Sequence, residues 1–215
     1  MIAPSILAVV GMQAEAALLP RGLRVIVGGG DPKRLATLLA ERGAGATAVL
    51  SFGIAGGLDP EVTPGDLVVS TRVRGPRGAF GADIGWAAAL ARATGARLGV
   101  IAGAAAVVAE PAAKRMLGLA TGALTVDLES EPAAAFATAR RLPFVALRAV
   151  ADTAGEVLPR AAAVGLTRDG RPAPARVALA LLRRPRELPA LLTVAQRSRT
   201  ALAALSRAAA ALPAR

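Results

Sequence analysis

Short apolar runs alternate along the chain with stretches whose apolar positions recur at helical spacing. Ser5–Val10, Leu23–Val27, Thr47–Phe52, Asp66–Val73, Arg97–Ala102, Leu124–Leu128 and Phe144–Val150 read as strands, most of them nearly continuous in Val, Ile, Leu and Ala, as buried strands are. Helices fit between them at Asp31–Arg42, Asp83–Ala93, Pro111–Leu119 and Pro132–Arg140, the first opened by an Asp31 cap with Pro32 at the first helical position. The alternation predicts the α/β class, a mostly parallel sheet covered by helices. The glycine-rich run 53–57 reads as the break that ends the third strand, and Gly75–Ala82 and Asp152–Thr167 read as irregular. After a turn at Asp169-Gly170-Arg171-Pro172, Leu191, Leu192, Ala195, Leu202, Leu205, Ala209 and Leu212 recur at helical spacing. No repeat or second domain is visible, so residues 1–215 read as one domain with a helical C-terminal segment at about 174–213.

Composition narrows the chemistry. Of 215 residues 54% are apolar, enough for a sizeable core, and none is Cys or His. Thiol nucleophiles, Cys-based zinc sites and Ser-His-Asp triads are thereby excluded, and no metal is expected. Acid–base work falls to 15 carboxylates, to Lys33 and Lys114, or to water. The formal charge of +11 is uneven: residues 1–139 carry net +1 and residues 140–215 net +10. A basic C-terminal third suits nucleic acid, anionic lipid or an anionic substrate. Aromatics at 2% leave almost nothing on which bases could stack, so no nucleic-acid partner is expected. No apolar run reaches membrane-spanning length, and Ile2–Val10 lacks the positive flank of a signal peptide; a cytoplasmic location is expected.

In open α/β sheets, ligands bind beyond the carboxyl ends of the strands. Four such ends carry notable residues: Gly11-Met12-Gln13-Ala14-Glu15, the run Gly53 to Pro60, Val126-Asp127-Leu128-Glu129-Ser130 and Arg148-Ala149-Val150-Ala151-Asp152. Each alone has a plain structural reading as helix decoration, cap or tight turn. Neither glycine cluster, 28–30 or 53–57, has Rossmann or Walker A spacing, although either could offer N–H groups to an anion.

Taken in order, these stretches resemble the purine nucleoside phosphorylase superfamily, in particular its methylthioadenosine and adenosylhomocysteine nucleosidases. The likeness is carried by Gly11–Glu15, Ser51–Ser70, Val126–Glu129 and Leu147–Asp152, and extends from Ile6 to about Glu156. The wording SFGIAGGLDP and the Arg-Pro-Arg-Glu-Leu-Pro stretch resemble the hopanoid-associated nucleoside phosphorylases. The resemblance implies a three-layer αβα sandwich with a mostly parallel, mixed central sheet. It implies cleavage of the N-glycosidic bond of a 5′-substituted adenosine, adenosylhopane in that branch, with release of adenine. Glu15 matches the carboxylate that activates water, Glu129 the one that grips the ribose hydroxyls, and Asp152 the acid at purine N7. Ala55 and Gly56 match backbone lining near sugar and base, Leu128 stands where a Met usually packs against the sugar, and Met12 and Val107 join the substrate-binding set. Ala104–Val108 is expected along the purine.

Some residues depart from the pattern. The Arg and Ser that hold phosphate in many phosphorylases correspond to Ile54 and Ser51, with Arg24, Arg72 and Arg148 as substitutes. Phosphorolysis and hydrolysis both stay open, with phosphate as co-substrate in the first case and no cofactor in either. A nucleoside- or lipid-binding module that has lost the reaction is the alternative. A homodimer is expected from the resemblance. A lipid-linked substrate implies peripheral contact with an anionic membrane, for which the arginines of 183–207 are suited.

Overall fold

The computed structural model describes residues 5–163 and 165–212; residues 1–4 and 213–215, at the margins of the expected first strand and the basic segment, lie outside them. Strands β1 (Ile6–Val10), β2 (Arg24–Val27), β3 (Ala48–Gly57), β4 (Leu67–Gly75), β5 (Gly78–Gly81), β6 (Arg97–Gly103), β7 (Ala123–Asp127) and β8 (Phe144–Asp152) form one sheet. Helices α1 (Gln13–Ala16), α2 (Pro32–Arg42), α3 (Ile84–Thr94), α4 (Pro111–Thr121), α5 (Ser130–Ala139), α6 (Arg160–Ala163), α7 (Pro174–Arg183) and α8 (Leu188–Ala209) surround it. The strand pairs β1·β2, β1·β3, β3·β8, β4·β6 and β6·β7 are parallel, and β3·β7, β4·β5 and β4·β8 antiparallel. The sheet is therefore mixed and mostly parallel.

Side-chain alternation sorts its faces. Leu7, Val9, Val49 and Ala146 pack against α2 and α5 on one face, while Ala8, Val10, Leu50 and Leu147 pack against α3 and α8 on the other. These are the two cores of an αβα sandwich, and burial on both sides explains why the strands read as continuous apolar runs. The expected Asp31 cap is present: its carboxylate accepts from the N–H groups of Lys33 and Arg34, both at 3.0 Å.

Three expectations need correction. First, β3 does not end at Phe52 but runs through the glycines to Gly57. Gly56 and Gly57 cross β8 so closely that a Cβ would fall 3.2 Å from an Asp152 carboxylate oxygen and 2.9 Å from the Asp152 carbonyl. The glycines mark close backbone approach rather than a turn. The same stretch pairs with Val126 and Thr125 of β7, so β3, β7, β6, β4 and β8 close into a ring. Second, Gly75–Ala82 contains β5, a short edge strand whose glycines hid it, and Asp152–Thr167 contains α6. Third, α5 starts at Ser130 rather than Pro132, because Asp127 at the end of β7 caps it.

Among the described residues no helix is long and apolar enough to cross a membrane. The second half of α8 buries Ala201, Ala204, Leu205 and Ala208 on the sheet, whereas α7 buries none of its residues.

Candidate active site

Ring closure brings the carboxyl ends of β3, β7 and β8 together, with β1 beside them. They surround a cavity of about 190 Å³. The residues expected to act in catalysis or to bind the nucleoside lie on its wall: Met12 and Glu15 beyond β1, Ala55 and Gly56 on β3, Leu128 and Glu129 between β7 and α5, Asp152 at the end of β8, and Val107 after β6. Ala106 and Val108 join Val107 there, whereas Ala104 and Ala105 face a neighbouring depression beside α4.

Glu15 sits in the single turn of α1 and is buried. One carboxylate oxygen accepts from the N–H groups of Gly11 and Met12, both at 2.8 Å, and the other from the Ile54 N–H of β3 at 2.8 Å. Burial pushes its pKa up, against the pull of these N–H groups and of Arg148 toward the ionised form. A carboxylate so held is a base with a raised affinity for a proton.

Glu129 is also buried, and its backbone N–H donates to Asp127 at 2.8 Å. Burial and the neighbouring charges of Asp127 and Glu15 push its pKa up to about 8, against Arg148. Gly11 makes room for it, since a Cβ there would lie 2.9 Å from a Glu129 oxygen. Both carboxyls that face the cavity thus have raised pKa values, with Glu15 held by N–H donors that favour its ionised form.

Behind them lies the fully buried Arg148 in the middle of β8. Its Nε donates to Asp127 at 2.7 Å, and Nη2 donates to the hydroxyls of Ser51 at 2.6 Å and Ser130 at 3.0 Å. Its Nη1 has no protein partner among the described residues. A Cβ on Gly53 would fall 2.6 Å from Glu15 Oε1 and 2.8 Å from this Nη1. Carboxylate and guanidinium therefore both pack against the bare backbone of Gly53, where no side chain fits.

Of the expected phosphate ligands, Ser51, Arg24, Arg72 and Arg148 do not line the cavity. Ser51 holds Arg148, Arg24 donates to the carbonyls of Arg42 and Ala44 at the end of α2, and Arg72 is exposed on β4. Among the described residues no Lys or Arg lines the cavity. Ile54, an apparent departure, contributes through its backbone N–H, which any residue supplies. The glycines 28–30 turn their backbone inward: the N–H groups of Gly28 and Gly29 donate to Val10 and Gly11 carbonyls rather than facing an anion.

Asp152 is buried beside Gly56, and one of its oxygens accepts from Lys114 of α4. Burial raises its pKa, while Lys114 and Arg197 counter the rise. Sequence reasoning had Lys114 only as one of two lysines; nothing in the pattern of α4 announces that its side chain turns inward. A second cavity of about 550 Å³ shares Met12, Val107, Leu128 and Asp152 with the first and continues between α6, α7 and α8, where Leu158, Leu166, Val177, Leu191 and Val194 make it apolar.

The chain matches the family described as the phosphorylase superfamily over residues 17–183. No curated protein matches it in sequence. Solved structures with the same fold include the 5′-methylthioadenosine/S-adenosylhomocysteine nucleosidase of Neisseria meningitidis bound to methylthio-immucillin-A, at 18% identity and TM-score 0.70, covering 96% of this chain and 97% of that one. The S-adenosylhomocysteine nucleosidase of Streptococcus pyogenes, at 18% identity and TM-score 0.67, covers 99% of each. A futalosine hydrolase mutant of Helicobacter pylori, at 17% identity and TM-score 0.63, covers 72% of this chain and 90% of its own.

Proposed function

The chain belongs to the phosphorylase superfamily as an enzyme of nucleoside N-glycosidic bonds, and we propose that it hydrolyses a 5′-substituted adenosine to release adenine. The observation that carries this reading is three buried carboxyls, from three different strand ends, facing one cavity with an unpartnered guanidinium N–H behind them. Cleavage passes through an oxocarbenium-like sugar, which needs negative charge nearby, a nucleophile on one side and a proton for the departing base. Glu15, on the cavity wall, takes the proton of the attacking water. Glu129 binds the ribose hydroxyls, and Asp152 gives its proton to purine N7. Leu128 and Met12 pack on the sugar, and the Ala55–Gly56 backbone and Val107 flank the base.

Hydrolysis is favoured over phosphorolysis because a phosphate dianion would enter a cavity lined by carboxyls and by no cation. The decisive assay is adenine release from 5′-substituted adenosines with and without phosphate. Equal rates support hydrolysis; strict phosphate dependence overturns it. A binding module that has lost the reaction is disfavoured by Glu15, whose elaborate backbone anchoring a passive site does not need.

The apolar cavity beyond the sugar has the size of sites for sizeable small molecules and suits a long hydrocarbon 5′ substituent such as that of adenosylhopane. Around its mouth α7 and the start of α8 expose Leu179, Leu182, Leu188 and Leu192 near Arg183, Arg184 and Arg186, a surface suited to an anionic membrane from which such a substrate is drawn. A homodimer is proposed alongside, with exposed Met116 and Leu119 of α4 as its apolar contact.

A further inference from the structure

Lys114 is the least expected residue of the molecule. It belongs to an otherwise half-exposed helix, yet its side chain is fully buried. Its ammonium donates to the Asp152 carboxylate, to the Thr153 carbonyl at 2.8 Å and to the Glu156 carbonyl at 3.2 Å. All three N–H donors are thus used, two of them on the loop that follows β8. An ammonium can point three donors at converging acceptors, which a planar guanidinium cannot. In a chain with 26 basic residues, only this position and Lys33 hold lysine.

Burying a charge pair is expensive, and well-packed apolar residues in its place commonly leave a protein as stable or more so. Fold stability alone therefore does not account for Lys114. The partner it selects is the one carboxyl assigned to the purine.

We propose that Lys114 is a positioning residue for catalysis, holding Asp152 toward the departing base and balancing the negative charge Asp152 acquires when its proton passes to the base. This rests on the hydrolase reading above. As the C–N bond breaks, its electron pair goes to the purine and the proton leaves the Asp152 carboxyl for the ring nitrogen. The resulting carboxylate faces an ammonium already in contact with it and needs no solvent to rearrange. One Asp152 oxygen is committed to Lys114, so the other is the one left for the base. The Thr153 and Glu156 carbonyls hold the ammonium in place through the cycle.

The test is leaving-group selectivity. Two substrates share one 5′-substituted ribose: the adenine nucleoside, whose base leaves protonated, and a 4-nitrophenyl riboside, whose phenolate leaves without a proton. Lys114→Met is expected to slow adenine release by at least about tenfold, part of the range a positioned acid supplies, and to leave nitrophenolate release within about threefold. Lys114→Gln keeps N–H donors for the loop carbonyls but no charge. It is expected to behave like Lys114→Met, and it serves if the Met variant does not fold. Equal losses on both substrates would reveal a purely structural clamp, and unchanged adenine release would remove any role; either overturns the proposal. Asp152→Ala separates the two levels. If that variant releases adenine at the wild-type rate, the hydrolase reading itself fails. If it is impaired while both Lys114 variants are not, only the assignment of Lys114 fails.

Discussion

Glu129 sets a pH dependence of stability that one substitution removes. Its pKa is 4.5 in a solvated chain and about 8 in the folded protein. Between these values the folded state holds a proton that the unfolded chain has released. Unfolding stability therefore falls as pH rises, by about 1.4 kcal/mol per pH unit for one such group. Below 4.5 both states are protonated and nothing is lost; above about 8 the loss is complete, at about 5 kcal/mol. Glu129→Gln keeps the shape and removes the titration. The variant should gain on the wild type by about 4 kcal/mol between pH 5 and pH 8.

Urea unfolding at half-unit pH steps measures this directly, because the difference between the two proteins cancels the titration of every other group they share. Glu15 and Asp152, whose folded pKa values are also raised, add slopes of the same sign to both curves. Parallel curves across pH 5–8 would mean that Glu129 is ionised at neutral pH and that its burial does not raise its pKa as described. Ribose recognition is a separate readout: the variant should lose affinity for nucleosides with free 2′ and 3′ hydroxyls more than for their dideoxy analogues.

Asp152→Ala should cut adenine release by at least about a hundredfold, the usual scale for a positioned general acid, read by adenine chromatography; release at an unchanged rate would sink its assignment. Gly53→Ala would push a methyl against Glu15 and Arg148, so it should destabilise by about 1–3 kcal/mol and slow hydrolysis by displacing Glu15, and a fully active variant would disprove the role given to Glu15. Neutralising Arg183, Arg184 and Arg186 together should weaken salt-sensitive co-sedimentation with anionic liposomes while leaving turnover of soluble adenosines intact. Wild-type protein that ignores such liposomes at low salt refutes the membrane surface.

The strands and helices that frame the site were legible because buried strands and capped helices leave strong local patterns. What escaped were features set by distant partners. The glycines of β3 looked like a turn because the cause of their smallness, β8 with Asp152 pressed against them, is nearly a hundred residues away in the chain. Arg148 could be placed on a core strand, but its partners Asp127, Ser51 and Ser130 come from the end of β7, the interior of β3 and the start of α5. Lys114 shows the same limit, since a helix of small residues gives no sign of which side chain turns inward. Conversely, Glu15, Glu129 and Asp152 could be singled out as candidates because each lies at or shortly beyond the end of a recognisable strand.

The charge arrangement of the site yields one more consequence. The chain carries +11 overall, yet Glu15, Asp127, Glu129 and Asp152 line the cavity and no basic side chain does. The basic exterior draws anions to the surface, whereas inside the cavity the nearest charges decide, because Coulomb interactions weaken with distance and solvent screens the outer ones. Under the proposed reaction, a sugar that becomes cationic would be stabilised by these acidic groups where it forms, while the neutral ground state would gain much less, and such a difference lowers a barrier. A ribose mimic with a protonated ring nitrogen should bind at least about a hundredfold more tightly than its uncharged ether counterpart of the same shape, measured by calorimetry at pH 7. Part of that preference should disappear in Glu15→Gln, which keeps the side-chain shape and removes the nearest fixed charge. Equal affinity of the two mimics for the wild type would show that the cavity does not act on charge, and the carboxyls would then have to be explained by shape alone.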